Sequence, residues 1–398
     1  MPTVVHITWT TASPEVGQVA FETDGLLTRT TPLEAVASTE HAATLSGLPQ
    51  DTAVTWQIFS EGGTSDVSEI RTGVLDGAPV LTVQGSGQDH FVATPMVTGD
   101  AAALALIDPM GRLSWYFDDP QGLGVFRVRI ANDGSGIIYS SAIEAGLAVS
   151  SSGFVRVSWD GDATFTPVPL LTHDFVELDD GTLVALADDT RDGVSGNKLV
   201  SVALDGTLSD LWSTFDCFDP VTNPGDDPEH GWTHANALDY DHSEDQFLVG
   251  LRNLGTLVAV SRSTGDCPFA VGGSGGNVEV NGGTFLHQHQ FERVGDRLLV
   301  FDNDGAPGNT SRVLEYDFDE TALTANVVRE IVADPPLYSF ILGDVFRFSD
   351  GDTLVTWSVP GTIDRIDAAG SRTWRVEAPD NTVFGFSTVV REPTGGHL

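Results

Sequence analysis

Five short β-branched runs recur along most of this chain, as GSGIIYSS, DGTLVALAD, EDQFLVGLR, GDRLLVFDN and GDTLVTWSV, each opened by Asp or Gly or both. Aligned on Tyr139, Val184, Val249, Val300 and Val355, they are spaced by 45, 65, 51 and 55 residues. Units of that length hold several strands each, and a small sheet cannot bury both faces alone, so the pattern specifies sheets stacked as propeller blades. Partner runs are visible in NKLVSVALDG, GTLVAVSRSTG, SRVLEYDFD and GTIDRIDAAG, and ALALIDPMGRLSWYF supplies an initial unit, making six. The tail FGFSTVVREP is expected to add a strand to the first unit and so remove an open edge.

Residues 2 to 75 read differently. VVHITWTT, GQVAFET, HAATLSGL, AVTWQIFSE and SEIRTGVL alternate apolar and polar positions between Pro, Gly and Asp turns, the period-2 signal of half-buried sandwich strands. In VxITWTT, HAATLSGLPQDTAVTWQI and SEIRTGV this part resembles a fibronectin type III domain, and His6 and His41 read as strand-surface or turn residues. With 43 Gly, 20 Pro and 40% apolar residues, the expectation is an all-β chain: a small β-sandwich at 1–76 and a six-bladed β-propeller at 77–398.

The formal net charge is −38, and Lys198 is the single lysine. Such a field disfavours nucleic acid and anionic membranes as partners. No apolar run approaches the ~20 residues of a bilayer span, and the start MPTVVHITWTT lacks the basic and apolar regions of an export signal. Asp-rich turns such as DYDHSED and FDNDGAPGN offer hard oxygens for a structural Ca²⁺, without a complete EF-hand loop. Cys217 and Cys267 sit beside turns. A bond between them closes a loop worth on the order of 4 kcal/mol in the chain-entropy model and encloses His234 and Arg252. It also implies an oxidising compartment, so a periplasmic or secreted location is expected.

His173, His234 and His289 each stand beside the innermost run of a successive unit, in LLTHDF, WTHANALDYD and FLHQHQF. A propeller brings such positions to one axis, so the three imidazoles are expected to converge. The patterns WTHANALDYD…FLVGLRNLGTLVAVSRSTG, HQHQF…LLVFDNDG…SRVLEYDFD and LGDVFRFSDGDTLVTWSVPGTIDRIDAAG resemble the arylsulfotransferases that act without a nucleotide sulfate donor, over roughly residues 80 to 390. The resemblance implies that a histidine, here His289, takes the sulfuryl group of an aryl sulfate and passes it to a phenol, with no cofactor required. It implies that His173, His234 and Arg252 offset charge on the sulfuryl oxygens and handle the phenolic proton. Asn236 is expected to orient a loop or ring on the substrate side, and Trp232 to stack on an aromatic substrate.

Two other readings follow from the same residues. His287 and His289 are two apart, so on a strand they share a face. With His173 and His234 they make a ligand set for Zn²⁺ or Cu²⁺, to which His230 adds, giving a metal-dependent enzyme on the same scaffold. A propeller that binds a ligand without catalysis is the third. Nucleotide donors and serine-hydrolase chemistry are disfavoured, because Lys198 lies in no phosphate-binding loop and G-x-S-x-G is missing. Trp115, Trp159, Trp212, Trp357 and Trp374 read as core between units, and Arg312 and Arg347 as braces to nearby carboxylates. Oligomeric state is not encoded in any heptad or long apolar edge.

Overall fold

A computed structural model describes the chain except residues 25–27, 100, 120–123, 143–151, 228–229, 307–309 and 394–398. The described residues are almost entirely strand and turn. Six sheets of four or five strands, antiparallel but for one edge strand, succeed one another from residue 82 onward. The second begins with Gly124–Ile130, the third with Leu171–Glu177, the fourth with Ala235–Asp241 and the sixth with Asp344–Arg347. In the fifth, Phe291–Val294 opens the meander, and Glu279–Asn281 lies parallel on its far edge. Phe91–Thr98, Ala101–Ile107 and Leu113–Asp118 form the first sheet, and two strands from the other end of the chain, Thr382–Phe384 and Thr388–Val390, pair with Phe91–Thr98. The tail therefore completes the first sheet. Reciprocally, Thr82–Gly85 joins the outer edge of the sixth. No described helix is long and apolar enough to cross a membrane.

The alternation in the sequence shows where the cores lie. In the strand Leu183–Arg191, Leu183, Ala185 and Ala187 face the second sheet while Val184 and Leu186 face the fourth. An inner strand of this kind buries both faces, because successive side chains point to opposite sides. Six apolar clusters result, each between consecutive sheets, and one joins the sixth sheet to the first through Trp374, Val376, Leu113 and Phe384. Trp115, Trp159, Trp212, Trp357 and Trp374 are all buried.

Before these sheets, one of two strands and one of five share a core of Val5, Ile7, Val19, Phe21, Leu45, Leu48 and Val54. His6 is exposed and bonds Asp160 of the second sheet at 2.7 Å. His41 departs from the surface reading: it is buried, stacked on Trp9 at 4.8 Å, with Nδ1 on Glu34. Arg29 fixes this part to the rest through Glu392 at 2.7 Å and the ring of Phe91.

The first strands meet at a buried polar knot. Arg127 of the second sheet donates to Asp174 of the third at 2.9 and 3.3 Å, to Asp344 of the sixth at 3.0 Å and to the Ser387 carbonyl beside the first at 2.9 Å. Asp174 also accepts from the Leu238 N–H of the fourth sheet at 2.9 Å and from Gln290, at the entry to the fifth, at 2.7 Å. Burial opposes the charge on Asp174, yet Arg127 and Arg129 hold it below the usual carboxylate range. Burial pushes Asp344 up to about 6 despite its bond to Arg127, and the nearby negative charge of Asp174 adds to the rise. Replacing Arg127 by Met strands two buried carboxylates and should cost about 3–5 kcal/mol, read as a lower urea midpoint at unchanged m.

Candidate active site

Each of the three histidines sits where regular strand geometry fails. The ladder of Leu171–Glu177 shifts register between Leu171 and Phe175, and such a bulge re-aims side chains. Asp174 points into the axial knot, and the His173 ring lies 5.0 Å from Phe126 and 4.9 Å from His234. His234 adopts a left-handed φ of 44° just before Ala235–Asp241, a conformation costing on the order of 1 kcal/mol for a residue with a Cβ. Asn197 of the third sheet holds it there, its Oδ1 accepting from Thr233 Oγ1 and from the Ala235 N–H, both at 2.8 Å. His234 Nδ1 lies 3.2 Å from the His230 carbonyl.

His289 precedes Phe291–Val294 and is almost fully buried. Its N–H donates to the Phe301 carbonyl at 3.1 Å, and its Nδ1 lies 2.9 Å from Asn303 Oδ1. Both chain neighbours are anchored. Gln288 donates to the Leu251 and Thr256 carbonyls, and its own carbonyl accepts from Asn236 Nδ2 at 2.8 Å; Gln290 is held by Asp174. Arg252 opens a short 3-10 turn after Gln246–Leu251, and its N–H donates to the His234 carbonyl at 3.2 Å. Only Nη1 of its guanidinium is paired among the described residues, with Asn253 at 2.8 Å and Asp227 at 3.4 Å.

The electrostatics follow from burial. Burial, His289 and Arg252 lower His173 to about 4, against an opposing pull from Asp174. Burial, His173 and Arg252 lower His234 to about 2. Burial lowers His289 to about 3 with help from Arg252 and His234, although Asn303 opposes it. All three rings are therefore neutral near pH 7, beside one guanidinium.

Other expected residues lie elsewhere. Trp232 is core: its indole N–H donates to the Asn223 carbonyl at 2.8 Å and its ring packs on Phe215 at 4.9 Å, so no face is free for a substrate. Asn236 is wholly buried, and its amide nitrogen bonds the chain beside His289. His287 does not share a face with His289, because the segment is not a strand and His287 takes a left-handed φ of 52°. Its Nδ1 faces Asp304 at 2.6 Å and its Nε2 faces Asp226 at 3.0 Å. The four-imidazole ligand set is therefore not assembled, and His230 bonds Asp227 at 2.9 Å. Among the described residues no group of three His, Cys, Asp or Glu side chains is placed to hold a metal ion. The carboxylate of Asp241 in DYDHSED accepts from Ser243 and Glu244 of its own turn, and FDNDGAPGN runs outside the described residues at 307–309. Arg312 pairs with Asp302 and Glu330 within the fifth sheet, whereas Arg347 joins the sixth sheet to Glu315 of the fifth.

Cys217 and Cys267 are bonded across 50 residues, tethering the segment that carries Asp227, His230 and His234. Asn197, Asn303, Asp174 and Gln290 were not singled out from the sequence. The Asn of FDN was the one visible signal, and it carried no role without the fold. A cavity of about 300 Å³ lined by Arg129, Asp239, Glu292 and Phe346 contains none of His173, His234 and His289; it lies along later residues of the same first strands.

The depressed histidines give stability a pH dependence. The unfolded chain binds protons near pH 6.5 that the folded chain refuses until far lower, so stability is complete above that pH and is lost as pH falls toward the folded values. At pH 5 each such histidine costs about 2 kcal/mol. Urea unfolding at pH 7 and pH 5 should show His173→Gln losing about 2 kcal/mol less than the unaltered chain between the two.

Residues 82–384 match the arylsulfotransferase (ASST) family. No curated protein matches the chain. Among solved structures, a Bacteroides caccae protein of unknown function is 14% identical with a TM-score of 0.51, covering 76% of this chain and all of its own. A nidogen/laminin complex chain is 8% identical with a TM-score of 0.47, covering 75% of this chain and 98% of its own. A β-propeller domain of Cps50 (Swd1) from Myceliophteria thermophila is 12% identical with a TM-score of 0.43, covering 75% and 90%. The first of these shares the fold; the other two lie too far off to bear on it. The family match spans most of the chain and every one of His173, His234, Arg252 and His289, and this protein belongs to the arylsulfotransferase family.

Proposed function

We propose that this protein transfers a sulfuryl group from an aryl sulfate to a phenol through a sulfohistidine at His289, on a six-bladed propeller that follows a fibronectin type III-like sandwich at 1–76. The blade reading is supported by the six inter-sheet cores, the last of which joins the sixth sheet to the first. The observation that carries the chemistry is a buried, neutral imidazole beside an Arg252 guanidinium that is only partly paired.

In the first half-reaction the His289 lone pair attacks sulfur, a nitrogen–sulfur bond forms, and the sulfur–oxygen bond to the aryl group breaks with release of the aryloxide. Arg252 donates to the sulfuryl oxygens as charge shifts among them, and its planar fork suits two at once. In the second half a phenol attacks the same sulfur and its proton passes to an imidazole. His234 can take it at Nε2, because its Nδ1 donates to the His230 carbonyl, and the negative sulfuryl group beside it would raise its proton affinity above that of the unliganded ring. His289 is regenerated, and the proton goes on to solvent or to the aryloxide. The net charge of −38 opposes an anionic donor at long range, but screening over about 8 Å mutes distant carboxylates. The disulfide supports an oxidising compartment, periplasmic or secreted.

Release of 4-nitrophenol from its sulfate, stimulated by added phenol and undiminished in EDTA, is the expected behaviour. His289→Ala should abolish it, and Arg252→Ala should lower kcat by about 10²–10³-fold. Full turnover by folded His289→Ala would remove the assigned nucleophile. Loss of turnover in EDTA that returns with Zn²⁺ would overturn the metal-free course.

A further inference from the structure

The side chain of Asn303, in the strand Arg297–Ala306, meets three groups. Its Nδ2 lies 2.6 Å from the Ser339 carbonyl and 2.8 Å from the Leu342 carbonyl, and its Oδ1 lies 2.9 Å from His289 Nδ1. Amide oxygen and nitrogen are assigned by their neighbours, and here the neighbours leave one assignment. Carbonyl oxygens only accept, so the NH₂ group must face both of them; the flipped amide would set three oxygens against one another. With Oδ1 fixed as an acceptor, the nitrogen of His289 that faces it must carry the hydrogen. A neutral imidazole has one N–H, so its lone pair is on Nε2. Asn303 is the side chain bonded to that ring, which also meets the backbone of His287.

The segment that offers the two carbonyls is itself fixed. Ser311 Oγ accepts from the Ser339 N–H at 2.9 Å and donates back to the Asn303 carbonyl at 3.1 Å, and Ser339 Oγ donates to the Ile341 carbonyl at 2.8 Å. Leu342 is left-handed at φ 57°, and Gly343 at φ 106° lies so close to Phe301 that a Cβ there would fall 2.1 Å from its ring. The carbonyls at 339 and 342 are thereby both turned toward Asn303.

We infer that Asn303 is a positioning residue that locks His289 in the Nδ1–H tautomer and so presents Nε2 as the attacking atom. The catalytic part of this rests on the sulfuryl-transfer reading; the tautomer does not. A neutral amide suits the role better than a carboxylate. Both accept from Nδ1–H, but a carboxylate also favours the imidazolium, whose Nε2 carries a proton and cannot attack. The charged and titratable groups bearing on His289 are Arg252 and His234, with His173 coupled to it, and these oppose a second proton as Asn303 specifies the first.

The test begins with the unaltered chain carrying ¹⁵N-labelled histidine, the His289 signals assigned by their loss in His289→Ala. A proton-bearing Nδ1 and a bare Nε2, constant from pH 5 to 8, are expected; the reverse tautomer or an even mixture overturns the inference. Asn303→Leu, folded by circular dichroism, should show mixed tautomers and lose at least about 100-fold in kcat, with acceptor KM little changed. Asn303→Asp should keep the tautomer but gain an acid limb in kcat/KM where the unaltered chain is flat, recovering to within about tenfold at high pH. Unaltered kcat in folded Asn303→Leu would overturn the positioning role. A locked tautomer in a protein that never turns over aryl sulfate would support the lock and defeat only the sulfuryl-transfer reading.

Discussion

One buried carboxylate, Asp174, sets the geometry on which the site depends. Through Arg127 it is tied to the second and sixth sheets and to Ser387 beside the first, and directly to Leu238 of the fourth and Gln290 at the fifth. Each of the six sheets after residue 82, or the chain beside it, thus has a hydrogen bond into one knot. The chain neighbours of Asp174 and Gln290 are His173 and His289, so the bonds that register the sheets also place two of the three imidazoles. A buried ion pair adds little stability on average, because desolvation cancels most of the Coulomb gain. Here it specifies which strand ends meet.

The fold was largely legible because its signal is local and repeated. Tyr139, Val184, Val249, Val300 and Val355 all fall on the second strand of successive sheets, and the tail strand pairs where edge-closure logic put it. Alternation within each run is enough to give both buried faces, so period and β-branched content together lead to sheets packed on sheets. The cysteines allowed a single pairing, and the sequence left open only whether it forms; the structure has the bond.

The site was legible only in outline. Strand periodicity put His287 and His289 on one face, and that failed because the backbone at His287 is left-handed, which no alternation rule foresees. Trp232 looked available beside His234, yet the same left-handed step at His234 separates them: the tryptophan turns into the core and the histidine toward the axis. The residues missed, Asn197 and Asn303, act on the histidines through a single amide oxygen each, in contacts 36 and 14 residues apart in sequence. An asparagine in a turn-rich β chain has no pattern of its own, so its role appears only once the two elements it joins are known.

A chain this acidic holds three neutral imidazoles and a half-paired guanidinium at its axis, and the two facts are connected. Burial takes the histidines away from the water that would solvate their charged forms, and Arg252 at short range opposes protonation further. Surface carboxylates act through water and salt, over which their influence decays within about a Debye length. Arg252 acts across a low-dielectric gap, where one charge outweighs many distant ones. The imidazoles therefore stay neutral in this acidic protein because they are buried and a cation is close. The irregular backbone at His173 and His234 makes that possible, turning both rings inward where regular strands would have sent alternate residues into the cores between sheets.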